Sequence, residues 1–186
     1  MAIQIAQDPT ADGLLQESSF ALLVGMMLDQ QYPMEHAFRG PAKIQERLGS
    51  FSVEEIAHAD PEQFAAMAST TPAIHRFPGS MAARMQELAQ IVLDQYDGDA
   101  ERIWTEAADG KDLMKRLTAL PGFGKQKSQI FVALVAKQLG VRPEGWEKAA
   151  GDYALQGHRS VADVVDADSL HKVRDFKKAQ KAAAKA

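Results

Sequence analysis

The sequence predicts an all-α fold, and three observations lead there. Apolar residues recur at helical spacing through most of the 186 residues. Ser, Asp and Pro stand repeatedly where helices begin. No stretch shows the sustained period-two alternation that a half-buried strand requires. With 46% apolar residues the chain can bury a sizeable core, and 25% charged residues is an ordinary balance for a wetted surface. That length suits one domain, or two small and closely packed lobes.

Taken in order, residues 16–31 are apolar on nearly every face, which predicts a helix buried among other helices. Pro33 stops or restarts it, and Met34–Leu48 predicts a second helix, interrupted near Gly40-Pro41. Ser52 with Glu55 three residues on has the form of a capping box for a short helix. Asp60-Pro61 supplies an N-cap and a first helical position for a helix over 61–69. The string TTPAIHRFPGS (70–80) predicts a turn-rich connection, after which Ser80 caps a long amphipathic helix ended by Asp97-Gly98. Helices over 99–108, 111–119 and 125–139 follow, the last two joined by a Gly-bearing hairpin. Beyond Gly140 the chain reads as loop around a short helix, and 167–183 predicts a final one.

Composition removes several classes of function. With no cysteine, a disulfide framework, a thiolate zinc site and a cysteine-held iron–sulfur cluster are all excluded. The five His, at 36, 58, 75, 158 and 171, show no metal-ligand spacing, so no metal site of that kind is predicted. The opening MAIQIAQDPTADGLL has no basic segment followed by an apolar core, so no secretory leader is expected. The longest apolar stretch, FALLVGMMLDQQ, is broken by Gly25 and Asp29 and falls short of a bilayer's width. A soluble cytoplasmic protein with no membrane partner is expected, nucleoid-associated if bacterial.

The net charge of −4 is unevenly spread. Residues 171–186 hold five Lys and one Arg against one Asp, a basic helix or tail on an otherwise acidic chain. Lys111, Lys115, Arg116, Lys125 and Lys127 cluster about a glycine pair. Screening confines remote charge to roughly 10 Å, so a local basic face suffices to attract phosphate. A solvated helix end explains the tail equally well.

That glycine pair lies in LTALPGFGKQKSQIFVALVAKQLG (117–140). Gly122 and Gly124 are free to take backbone angles closed to other residues. A turn of this kind leaves several N–H groups pointing outward at the next helix N-terminus, where the helix dipole also favours an anion. With Lys125 and Lys127 alongside, it predicts a phosphate cradle that reads backbone and not bases. The same GxG also serves any tight helix–helix turn.

The wider string L-P-G-F-G-K-Q-K-S followed by I-F-V-A-L resembles the helix-hairpin-helix of the HhH-GPD superfamily of base-excision DNA glycosylases. Upstream, LLVGMMLDQQYPMEHAF resembles the buried helix that carries a Gln-Gln pair in the alkylbase and adenine branches, and FPGSMAARMQELAQIV resembles the long helix between. The resemblance covers roughly 20–140. It implies a single 1–186 unit with a two-lobed helical fold, the lobes being about 30–117 and 1–29 plus 118–186, with an active cleft between them. It also implies double-stranded DNA as partner and a monomer.

Carried onto this chain, the resemblance gives the backbone of Gly122, Gly124 and Gln126 a DNA phosphate to hold, with a monovalent cation supported by hairpin carbonyls. Gln30 and Gln31 would approach the minor groove or the extruded nucleotide, unless their amides merely cap neighbouring backbone. Tyr32, His75 with Arg76, and Trp146 are candidates to line a base pocket, although Trp146 beside Gly and Pro also suits a packing plug.

Breaking a base–sugar bond passes through a cationic, oxocarbenium-like transition state that a carboxylate beside the sugar carbon stabilises. The family places an Asp about eighteen or nineteen residues beyond the second position after the hairpin's last Gly. That second position is Gln126 here; eighteen reaches Glu144 and nineteen falls on Gly145. Glu144 is the positional candidate, with Glu147, Asp152 and Asp29 behind it. Glu144 also suits a surface position in a first helical turn, and Asp29 a cap or ion pair. Bifunctional members carry a Lys where Gln126 stands, so no strong lyase activity is expected. Adenine glycosylases carry a Glu where Met26 stands. The sequence therefore predicts a monofunctional glycosylase for a damaged or mismatched base, alkylated purines being preferred, without cofactor. The alternatives are a non-catalytic DNA-binding relative that has lost the Asp, and an all-α protein whose hairpin only packs.

Overall fold

A computed structural model describes residues 2–186, and among them there are eleven α-helices and two short 3-10 turns with no strand. Helix α1, Pro9–Glu17, is not anticipated by the apolar pattern. Asp8 starts it by accepting from Ala11 N, with Pro9 at the first position. Asp12 within it is buried and accepts from Ala6 N at 2.7 Å, which fastens the N-terminal segment.

The single helix expected over 16–31 is two. Ser18 ends α1 and caps α2, Ser19–Leu28, by accepting from Ala21 N at 3.1 Å. Helix α2 stops three residues early, leaving Asp29, Gln30 and Gln31 in a loop where Gln31 takes a φ of 53°. Every residue of α2 from Phe20 to Leu28 is buried.

Helix α3, Met34–Leu48, runs unbroken through Gly40-Pro41, against expectation. An interior proline costs about 3 kcal/mol in an isolated helix, but here the segment is buried against α2. The two helices approach through one glycine each. A Cβ on Gly25 would lie 2.4 Å from Phe38 Cδ1, and one on Gly40 would lie 2.4 Å from Leu28 Cδ1.

Helices α4, Val53–His58, and α5, Pro61–Ser69, pack on the long α6, Pro78–Tyr96. Gln86 on α6 donates to the carbonyls of Ile56 and Ala59 at 3.1 and 2.8 Å. Ser52 caps α4 through Glu55 N, but the Glu55 carboxylate turns to Ser50, so the reciprocal half of the box is missing. Asp60 caps α5 as anticipated. Helix α6 begins at Pro78 and not after Ser80, because proline is pre-set for a first helical position. It ends at Asp97 and Gly98, with φ of 53° and 80°.

Helix α7, Arg102–Thr105, is shorter than expected, and α8, Gly110–Thr118, leads into the hairpin. Helix α9, Lys125–Gln138, is buried almost throughout from Ser128 onward and packs against α8, α10 (Trp146–Ala150) and the turn Val161–Asp163. Trp104, Phe123 and Phe131 meet edge-on, at ring distances of 5.4 and 6.0 Å, tying α7 and the hairpin to α9. One continuous apolar cluster runs from the N-terminal segment to α11, Ala167–Lys185. Within α11 the buried residues are Ser169, Leu170 and Val173, so its basic outer half projects past the core.

Gly25→Ala is therefore expected to overpack the α2–α3 contact and lower unfolding stability by about 1–3 kcal/mol. Urea denaturation should show a lower midpoint with an unchanged slope.

Candidate nucleic-acid interface

The chain between α8 and α9 turns within Leu120–Gly124. Gly122 has a φ of 81°, open to glycine and strained for other residues. A Cβ there would also lie 2.9 Å from Arg84 Cδ and 3.3 Å from Met27 Cγ. Gly124 differs from expectation. Its φ of −75° is ordinary, and a Cβ on it would meet nothing within 4 Å. Its own fold does not need glycine; what the missing side chain leaves is room beside the backbone.

No side chain caps α9. Among the described residues no acceptor reaches the N–H groups of Gly122, Gly124, Lys125 or Gln126. Orphan amides at a helix start, with the dipole behind them, attract an anion. On the other side of the same turn, no described donor reaches the carbonyls of Pro121, Gly122 and Phe123. Such a set of free carbonyl oxygens is what a monovalent cation takes as ligands.

These amides open on a groove of about 1340 Å³, walled by the loop after α2, the hairpin, the start of α9 and the outer half of α11. That exceeds a small-molecule pocket and suits part of a macromolecule. Met26, Leu120, Phe123 and Ile130 supply apolar lining. Eight basic side chains line it against one acid, Asp29, so the groove is positive although the chain is acidic.

The structure gathers some predicted residues here and not others. Gly122, Gly124, Lys125, Gln126, Lys127, Gln30, Gln31, Tyr32 and Asp29 all line the groove. Gln30 Oε1 accepts from Arg84 at 3.0 Å, and Gln126 Nε2 donates to the Tyr153 hydroxyl at 2.8 Å. His75 is not a pocket group. It is buried, its Nδ1 accepts from Phe77 N at 3.0 Å, and so its Nε2–H donates to the Gln30 carbonyl at 2.9 Å. Burial pushes its pKa down and keeps it neutral. It braces the loop, with Tyr32 packed on its ring at 4.8 Å.

Glu144, the carboxylate reached by the hairpin spacing, is exposed and lies outside the groove, as do Glu147 and Trp146. The Glu144 carbonyl accepts from Gly110 N at 2.7 Å, and a Cβ on Gly110 would stand 2.6 Å from Gly145 O. That close docking on α8 holds the segment away. Trp146 is half-buried against the core with Arg142 over its ring at 5.8 Å, which is the plug arrangement. Asp152 lies in an adjoining hollow of about 350 Å³ that shares Tyr153, Arg159 and Gln180 with the groove.

Lys127, expected as mobile charge, is the reverse. Its ammonium is largely buried and donates to the Met27 carbonyl at 2.9 Å. Burial lowers its pKa from 10.5 to about 8, with Asp29 pulling it up and Arg84 and Lys177 pushing it further down. Asp29, the C-cap of α2, is pushed up by burial and pulled down by Lys177 and Lys127. Arg84, Tyr153, Arg159, Arg174 and Lys177 also line the groove. Only the basic run after His171 signalled any of them in the sequence.

A family model described as HhH-GPD superfamily base excision DNA repair protein matches residues 24–185. No curated protein and no solved structure matches the chain.

Because Lys127 has a lower pKa folded than unfolded, its protonation favours the unfolded chain. Stability should therefore rise as pH passes from about 8 to 10.5. Thermal unfolding across that window should show the rise in the wild type, and Lys127→Met should flatten it.

Proposed function

The chain belongs to the HhH-GPD superfamily of base excision DNA repair proteins, and from that premise we propose that it is a monofunctional DNA glycosylase. It hydrolyses the bond between sugar and a damaged base in duplex DNA, acting as a monomer. The observation that carries this reading is the uncapped start of α9, opening with free amides on a positive groove. A DNA phosphate seats on the amides of Gly122, Gly124, Lys125 and Gln126, with the Lys125 side chain and the basic side of α11 adding charge around it. The carbonyls of Pro121, Gly122 and Phe123 would hold a monovalent cation, which adds positive charge behind those amides.

Hydrolysis without a covalent amine step is supported by Gln126 at the usual lysine position, its amide engaged by Tyr153. The neighbouring Lys127 is engaged by Met27 O. An alkylated purine is the favoured substrate class. Such a base already carries positive charge and leaves neutral without a proton, and the Gln30-Gln31 pair resembles that branch. The exposed placement of Glu144 favours one alternative, a helix-hairpin-helix DNA-binding protein without chemistry.

Purified protein incubated with duplexes bearing single lesions, then treated with alkali, should give strand breaks with at least one alkylated base. Breaks with none would leave the binding reading alone. Duplex affinity should fall steeply with salt as phosphate-bound counterions are released. Gly124→Val should keep stability within about 0.5 kcal/mol, since its Cβ meets open space. It should weaken binding to every sequence alike in a fluorescence-anisotropy titration, and loss confined to one sequence would contradict phosphate holding.

A further inference from the structure

The groove holds one carboxylate, and it is not the one at the family's spacing. Asp29 closes α2, its side chain is 8% exposed, and it lines the groove. Among the described residues no N–H or O–H hydrogen-bonds to either of its oxygens. The nearest cation, Lys177 Nζ, stands 3.9 Å away, and the Lys127 ammonium is committed to Met27 O.

Buried carboxylates ordinarily collect donors. Asp12 accepts from Ala6 N at 2.7 Å, and Asp163 accepts from Lys137 at 2.7 Å and Arg159 N at 2.8 Å. Asp29 has charge compensation without hydrogen bonds, the arrangement of a group reserved for a ligand. The groups that face it are Lys127 on α9, Lys177 on α11 and His75 ahead of α6. His75 is neutral and turned to Gln30 O, and Arg84 is occupied by Gln30 Oε1.

We propose that Asp29 is the catalytic carboxylate, facing the sugar carbon of the extruded nucleotide. This rests on the glycosylase reading above. The C1′–N bond breaks with its electron pair leaving on the base, and positive charge develops on the sugar ring beside Asp29. Water bonds to C1′, its proton passes to Asp29 and then to solvent, and an alkylated purine departs neutral. Lys177 marks where a cation already sits beside Asp29, and the sugar cation takes that place when Lys177 turns to the DNA backbone. Lys127 is a positioning residue, because its tie to Met27 O holds the end of α2 against the start of α9.

The test needs no knowledge of the lesion. Two duplexes are compared in equilibrium binding, one with a pyrrolidine abasic analogue, protonated and sugar-like, and one with a neutral tetrahydrofuran. Wild type should bind the charged duplex on the order of tenfold or more tighter, as it would a transition-state mimic. Asp29→Asn should bring the ratio close to one while tetrahydrofuran binding is kept, and Glu144→Gln should leave the ratio intact. Lys177→Met, which spares the core if Asp29→Asn fails to fold, should raise the ratio.

An unchanged ratio in Asp29→Asn, or an unchanged or lower one in Lys177→Met, overturns the assignment. Equal binding of both duplexes by wild type overturns it too, with DNA binding left standing. Failure to bind either duplex removes the proposed function itself.

Discussion

One hydrogen bond ties the end of α2 to the start of α9 in the groove. The Lys127 ammonium reaches from the first turn of α9 to the Met27 carbonyl, an unpaired acceptor in the last turn of α2. It is the cationic partner that a helix C-terminus favours, supplied from a helix a hundred residues later in the chain. Through it the amides of the hairpin and the carboxylate of Asp29 share one wall. Gly122 serves the same end, since its φ of 81° favours glycine and a Cβ there would crowd Arg84 Cδ and Met27 Cγ. Burying the lysine is unfavourable in itself, and its lowered pKa measures that. Its tolerance rests on the carbonyl it binds and the acid beside it.

Electrostatics are arranged locally against the overall balance. The chain is acidic, yet the groove gathers basic residues from α6, the hairpin, the turn before Val161 and α11. Elements distant in sequence converge on one surface, so the positive face arises from folding and not from a basic run alone. Met26, Leu120, Phe123 and Ile130 add apolar surface among these charges, which the proposed extrusion of a base would use.

Much of the scaffold was legible because it follows local rules. Asp60-Pro61 starts a helix and Asp97-Gly98 ends one by mechanisms complete within a few residues. The hairpin was readable for the same reason at Gly122, where backbone angle and close packing both demand glycine. What escaped was set by partners far along the chain. Pro41 lies inside a helix because α2 packs on that face, and Ser18 splits an apolar run that reads as continuous. Glu144 sits at the right count but is docked on Gly110, a contact no spacing reveals. His75 looks like a site histidine until both ring nitrogens prove occupied. Lys127 and Lys125 are equivalent in sequence, and only the fold turns one to solvent and the other inward.

The outer half of α11 has an attachment unlike that of every core helix. Leu170 and Val173 root it, and beyond them its links to the α2–α3 region are Arg174 on Glu35 and Lys177 beside Asp29. Electrolyte weakens such links while leaving apolar burial almost untouched. A polyanion that draws on the lysines of this arm would therefore also loosen its hold on the body. Under the proposed reading, engaging DNA and uncovering Asp29 would be one exchange of counter-charges, with no separate hinge required.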